Sequence, residues 1–305
     1  MGNAEMAHGW EILMANFYDR MEENRRNSYI LVALVFCVCL AAVWGISVLF
    51  FGDSGLGFAL GALFSGGYVA ATYFAADGMI LGVSGAREAK KEEFPYLVNV
   101  VEGLSIAAGV PMPKIYVIDD PAPNAFAVGT SPEKASVAFT TGLLSMMGRA
   151  ELEGVAAHEL SHIRNLDSRM ATMAVAMVGL IAILSDLGLR SMFWGGRGNS
   201  RGGRGGSGLA IVGLIIIILA PIASQLVRLA LSRQREYLAD ASGAELTRYP
   251  EGLASALGKM EKSGTMVRKA TDATASLYFA NPLSMGGLLS THPPIKERIR
   301  RLKEM

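Results

Sequence analysis

The stretch Tyr29–Phe51 runs for about 23 residues without a charged side chain. As a helix it would be roughly 34 Å long, enough to cross the hydrocarbon core of a bilayer. Gly52, Asp53 and Ser54 give a turn signal, and Leu56–Leu81 follows as a second apolar stretch whose only charge is Asp77. Its glycines and alanines suit close packing on the first helix. The pair reads as a transmembrane hairpin, and any fold must be built around it. Two further apolar runs, Met170–Leu189 and Leu209–Leu231, flank the low-complexity loop Gly195–Gly208, "GGRGNSRGGRGGSG". Pro221 predicts a kink in the last run. Composition agrees: 51% of residues are hydrophobic and 18% charged, where soluble proteins have about 25% charged.

These runs divide the chain into an amphipathic amino-terminal segment (1–27), a first hairpin (28–82), a polar part (83–169), a second hydrophobic hairpin (170–231) and a second polar part (232–305). In the first segment, Trp10, Leu13, Phe17 and Met21 recur three to four residues apart among charges. That pattern suits a helix lying on a membrane surface or one packed on the protein itself. "REAKKEEFPYLVNVVEGLSIAAGV" has helical spacing in its later half. "PKIYVIDDPAPNAFAVG" and "KASVAFTTGLL" read as two short strands of an α+β region, followed by a helix over Arg149–Asp167. Most flanking arginines and lysines place the polar parts in the cytosol if all four runs span. Arg190, Arg197, Arg201 and Arg204 fall on the other side and weigh against full crossing by the second hairpin. A net charge of +1 offers no basic face for nucleic acid. Cys37 and Cys39 sit two apart in an apolar run and read as small apolar residues.

Only four histidines occur in the chain, and two of them stand in "GVAAHELSHIRNLD". On a helix, His158 and His162 project nearly together, one turn apart, so both imidazoles can grip one Zn²⁺. Glu159 is offset by about 100°, beside the metal rather than on it, where a general base takes a proton from water. A hydrolytic zinc site usually adds a third protein ligand. His8 lies across a hairpin from the motif. Asp167, nine residues past His158, would face the opposite side of the same helix. The remaining candidates lie in "SRQREYLADASGAEL", where Glu236 and Asp240 stand four apart. Glu236 as third ligand with Asp240 behind it, hydrogen-bonded to a ligand histidine, fits the usual arrangement.

"AAHELSHIRNLD", a hydrophobic hairpin, "SRQREYLADASGAEL" and "STHPPIKERIRRL" together resemble the HtpX family of membrane zinc metalloproteases, itself similar to the CAAX prenyl proteases and the mitochondrial Oma-type proteases. The resemblance runs over nearly the whole chain and implies one Zn²⁺ per chain, held by His158, His162 and Glu236, with Glu159 as catalytic base. It implies endopeptidase action on misfolded or damaged membrane proteins from the cytosolic side of the cell membrane. From the prenyl proteases it carries over His292 and Arg298 as groups that approach the bound substrate and support the metal ligands or the developing oxyanion. Resemblance, and a position between turn residues, also mark Asn124, Ala125 and Phe126 as a sheet edge for substrate. The expected fold is a mainly α, multi-pass membrane protein of four hydrophobic helices, bearing a cytosolic α+β zincin domain of the gluzincin type. Its oligomeric state stays open.

Two rival readings are weaker. An intramembrane protease would bury its motif in an uncharged span, whereas Arg149, Glu151, Glu153, Arg164, Asp167 and Arg169 flank this one. A scaffold with a structural metal would favour cysteine or histidine at all four positions and leave Glu159 without a role.

Overall fold

The computed structural model describes residues 22–30, 32–34, 36, 37, 40, 41, 44, 54–176, 233–270, 274–280 and 293–305. Four strands, β1 (Ala86–Glu88), β2 (Lys114–Ile118), β3 (Ala125–Val128) and β4 (Ser136–Thr140), form one sheet in the order β1-β2-β4-β3. The β2–β4 pair is parallel and the other two are antiparallel. The sequence pattern anticipated two strands here. "PKIYVIDDPAPNAFAVG" instead holds two of its own, because the chain turns between Ile118 and Ala125. Buried Asp120 fixes that turn: its carboxylate accepts from the Ala122 N–H at 2.9 Å and from the Arg268 N–H at 2.8 Å. The three-residue β1 lies in a charged stretch too short to display an alternation.

The sheet is covered on both faces, and its side chains alternate between two cores. Ile115, Val117, Ala125, Ala127, Val137 and Phe139 face a layer of helices. These are α2 (Pro95–Ala108), α4 (Arg149–Arg164), α5 (Arg233–Thr247) and α6 (Pro250–Ser263), with α7 (Ile295–Lys303) packed on α6; a short α3 (Thr141–Met146) leads into α4. Ile118, Phe126, Val128 and Ala138 face the other way, onto Ile80 and Leu81 at the end of α1 (Ser54–Ser84), Val175, Leu277 and Tyr278. The far end of the second apolar run is thereby docked on the sheet.

Among the described residues one helix, Gly55–Ser84, is long and apolar enough to cross a membrane, with mean hydropathy 1.3. The described positions of the first run are helical. Beyond residue 176 the third run, and all of the fourth, lie outside the described residues, as do Trp10, Leu13, Phe17 and Met21. In the helix over 22–30, Asn24 and Ser28 are buried one turn apart. For this end of the amino-terminal segment, packing on the protein itself is therefore what occurs.

Helix α4 ends sooner than its sequence suggests. Asn165 is its carboxyl-terminal cap, Leu166 takes a left-handed φ of 60°, and the chain re-enters a helix over 167–176. A left-handed leucine costs about 1–2 kcal/mol, and the site below accounts for what the break achieves.

Candidate metal centre and active site

Close helix packing builds the site. Helix α4 is lined with Gly154, Ala156 and Ala157, and α5 crosses it where a Cβ on Gly243 would lie 3.0 Å from the His158 nitrogen and 3.2 Å from its Cα. Only a glycine lets the two backbones meet this closely. The crossing carries Glu236 and Asp240, two turns and one turn before Gly243, to the face where α4 presents its histidines.

His158, His162 and Glu236 come together, each offering one ligand atom, all within 4.8 Å of one another. The two Nε2 atoms are 3.1 Å apart. Glu236 Oε2 lies 3.7 Å from His158 Nε2, and Oε1 lies 3.6 Å from His162 Nε2. Ligands at the usual zinc distances on tetrahedral corners sit about 3.3 Å apart, so the three atoms fit one ion. Their chemistry fits as well. His158 Nδ1 faces Asp240 Oδ1 at 2.9 Å and His162 Nδ1 faces Asp167 Oδ2 at 3.1 Å. With a proton on each Nδ1 aimed at its carboxylate, both Nε2 lone pairs and the Glu236 carboxylate converge on one point. Three electron-pair donors converging this way are what one bound cation would satisfy.

Electrostatics agree. Burial acts to lower His162, but Asp167 and Glu236 outweigh it and push it up to about 9, so this corner of the site draws positive charge. Desolvation lowers the fully buried His158 to about 4, favouring the neutral imidazole that a metal needs. Glu159 is 1% exposed, and no side chain hydrogen-bonds to its carboxylate among the described residues. Desolvation pushes it up to about 8. Access is from one side, since His162 and Glu236 are partly exposed and His158 is sealed.

Arg298, expected to support the ligands or the transition state, lies behind the histidines. Its side chain is 1% exposed. It donates to both Asp240 oxygens, at 2.8 and 2.7 Å, and to the Phe279 carbonyl at 2.9 Å, and it lies 3.4 Å from Glu236 Oε2. Burial would raise the Asp240 carboxyl, and the Arg298 guanidinium overrides it, holding Asp240 well below the usual carboxylate range. His292 lies outside the described residues.

Ala125 and Phe126 lie on an edge strand, β3, and Asn124 directly precedes it. That edge is already engaged. The Phe279 N–H donates to the Ala125 carbonyl at 2.8 Å, Phe126 bridges Tyr278, and the Asn124 amide donates to the Ala280 carbonyl at 2.9 Å. The segment 278–280 thus runs along the position expected for substrate.

Two site features escaped the sequence reading. The break at Asn165–Leu166 swings Asp167 back onto His162, so an acid placed on the opposite face by helical spacing becomes its orienting partner. Phe279 closes the site from another direction, its ring 4.8 Å from that of His158. For Asp167, the "RNLD" ending offers a cue, since asparagine is a favoured helix terminator. Phe279 had none.

Residues 91–305 match the family described as Peptidase family M48. The chain belongs to peptidase family M48. Within it the chain falls among the HtpX proteases. Protease HtpX homolog of Dictyoglomus thermophilum is 52% identical over 295 residues, covering 95% of each chain. That of Tropheryma whipplei is 44% identical over 291 residues, 94% of this chain and 98% of its own. That of Streptococcus thermophilus is 43% identical over 297 residues, 94% and 99%. The structure is also similar to the crystal structure of S. mikatae Ste24p, with a TM-score of 0.47 and 18% identity, over 90% of this chain and 66% of that one. This M48 chain is a metallopeptidase, as the HExxH motif implied, and the family implies a bound metal.

Proposed function

We propose that this M48 protein is a zinc endopeptidase acting at the cytosolic face of a cell membrane on misfolded or damaged membrane proteins. His158, His162 and Glu236 hold the Zn²⁺, one per chain. The ion supplies Lewis acidity, polarising the peptide carbonyl and acidifying water. Glu159 takes the proton of the attacking water on its carboxylate and passes it to the leaving amine. Burial raises its proton affinity, so it can hold the proton between the two transfers. Asp240 and Asp167 hold the two imidazoles in their ligating tautomer, and Arg298 holds Asp240. Phe279 and the buried Asp240–Arg298 pair behind His158 keep bulk water from that side. Substrate would enter where His162 and Glu236 are exposed and meet β3 after displacing or extending the 278–280 segment.

The observation that carries this reading is the convergence of three lone-pair donors at 3.1–3.7 Å with the buried Glu159 carboxylate beside them. Membrane residence rests on Gly55–Ser84 and the uncharged run before it. We place the chain in the bilayer as two hairpins, 28–82 and 170–231, with the catalytic domain assembled from 83–169 and 232–305. His162 stands eight residues before Met170, so the site lies close to the lipid surface, within reach of a polypeptide leaving it. The test is to purify the full chain in detergent with chelator, add zinc back, and follow cleavage of an unfolded protein, with Glu159→Gln in parallel. Zinc-dependent cleavage lost in E159Q is the expected result. Activity that persists without metal would end the proposal.

A further inference from the structure

Helix 22–30 reaches into the support of the metal centre. Asn24, 5% exposed, donates from Nδ2 to Asp167 Oδ1 at 2.6 Å and to the Asn165 carbonyl at 3.0 Å. Both partners are acceptors, so the amide nitrogen, with its two protons, must stand where it does. The other oxygen of the same carboxylate, Asp167 Oδ2, is the one that faces His162 Nδ1. Arg235, on α5, adds a looser contact, its Nε 3.7 Å from Asp167 Oδ1.

A carboxylate behind a ligand histidine fixes the ring only as firmly as it is itself fixed. Asp167 is poorly fixed by its own backbone, because it opens a new helix directly after the left-handed Leu166. Asn24 ties the two sides of that break together: one proton goes to the last carbonyl of α4 and the other to the first side chain beyond it. Ser28, wholly buried, donates back to the Asn24 carbonyl at 2.8 Å, and Arg169 stacks over Tyr29 at 4.9 Å, so the amino-terminal helix is seated along this surface.

We propose that Asn24 is a positioning residue for the metal centre, acting through Asp167 on His162. The segment that enters the first apolar run is then part of the catalytic unit, and its seating sets how tightly one ligand is held. This rests on the reading of His162 as a metal ligand.

The experiment uses the full-length zinc-loaded protein in detergent, as wild type, N24A, N24D/D167N, H162A and the exposed-site control E22Q. It records zinc transfer to a chromophoric chelator, the visible spectrum of the Co²⁺-substituted protein, and thermal unfolding. N24A is expected to speed zinc transfer about tenfold, the lower end for a lost partner behind a metal-bound histidine, and to alter the Co²⁺ bands while unfolding remains cooperative. N24D/D167N should slow transfer again relative to N24A, though short of wild type, because the exchanged pair can hydrogen-bond with donor and acceptor reversed while still accepting from His162, and the bond to the Asn165 carbonyl is lost. E22Q should match wild type. Wild-type transfer and spectrum in N24A would overturn the inference, as would fast transfer that the double variant does not slow. Stoichiometric zinc in H162A would instead bring down the ligand assignment itself, and the inference with it.

Discussion

Arg298 grips Asp240 through two parallel hydrogen bonds, at 2.8 and 2.7 Å, in a pocket where both side chains are almost completely buried. The pair stands directly behind His158: Asp240 Oδ1 is 2.9 Å from the ring and Arg298 Nη2 is 3.5 Å from it. A buried two-point pair of this kind is costly to break from one side, since removing either partner strands a charge. It also fixes the plane of the carboxylate that orients the ligand histidine. Fold and metal site are joined here through one arginine.

Arg298→Met should accordingly destabilise the protein by about 3–5 kcal/mol and weaken zinc binding. R298M/D240L should recover much of the stability without recovering zinc affinity, because the double change leaves no stranded charge but no partner for His158. Thermal unfolding and chelator competition on the two variants check this. A double variant no more stable than the single one would contradict it.

Glu159→Gln should retain zinc at wild-type stoichiometry and lose about 10²–10⁴-fold in cleavage rate, the usual contribution of a general base. Metal analysis alongside a protein-cleavage assay decides the matter. Metal content falling in step with activity would make Glu159 a ligand.

Gly243→Ala should push α5 away from α4, since its Cβ would come within 3.0 Å of the His158 nitrogen. Overpacking of this kind costs about 1–3 kcal/mol, and Glu236 and Asp240 would move with the helix. Lowered stability together with weaker zinc binding is the expected outcome, measured by unfolding and competition. Stability lost with zinc affinity intact would mean that α5 adjusts away from the site.

Glu151 supplies a pH-dependent test remote from the metal. Burial alone would raise its carboxyl, but hydrogen bonds from Lys259, Ser255 and the Gly148 N–H together outweigh it and hold it below its ordinary 4.5. A depressed carboxylate stabilises above its unfolded pKa and loses that contribution as pH falls through the folded value. Glu151→Gln should cost about 1–3 kcal/mol at neutral pH, and the gap to wild type should narrow in acid below the ordinary value. Unfolding free energies of both proteins across that range measure it. A gap that stays constant would assign the loss to packing.

Local chemistry was legible in the sequence. The i, i+4 histidines with a glutamate between needed only helical geometry, and Glu236 with Asp240 repeats that spacing on α5. The second apolar run, found as the helix Gly55–Ser84, needed only length and scarcity of charge. Tertiary structure decided what depends on chain reversals and on contacts far apart in sequence. Asp167 was set aside because a continuous helix turns it away, and it reached His162 because Leu166 adopts a left-handed conformation that leucine seldom takes. Arg298 lies 58 residues from Asp240, and residue order gave no sign that Asp240 would be the group it grips. The edge of β3 was readable as an edge, but its engagement by residues 278–280 was not, since a backbone hydrogen bond leaves no mark on side-chain identity. Spacing along one helix is a local property and can be read from residue order, whereas the partners that hold a ligand in place are fixed by where distant backbones pack.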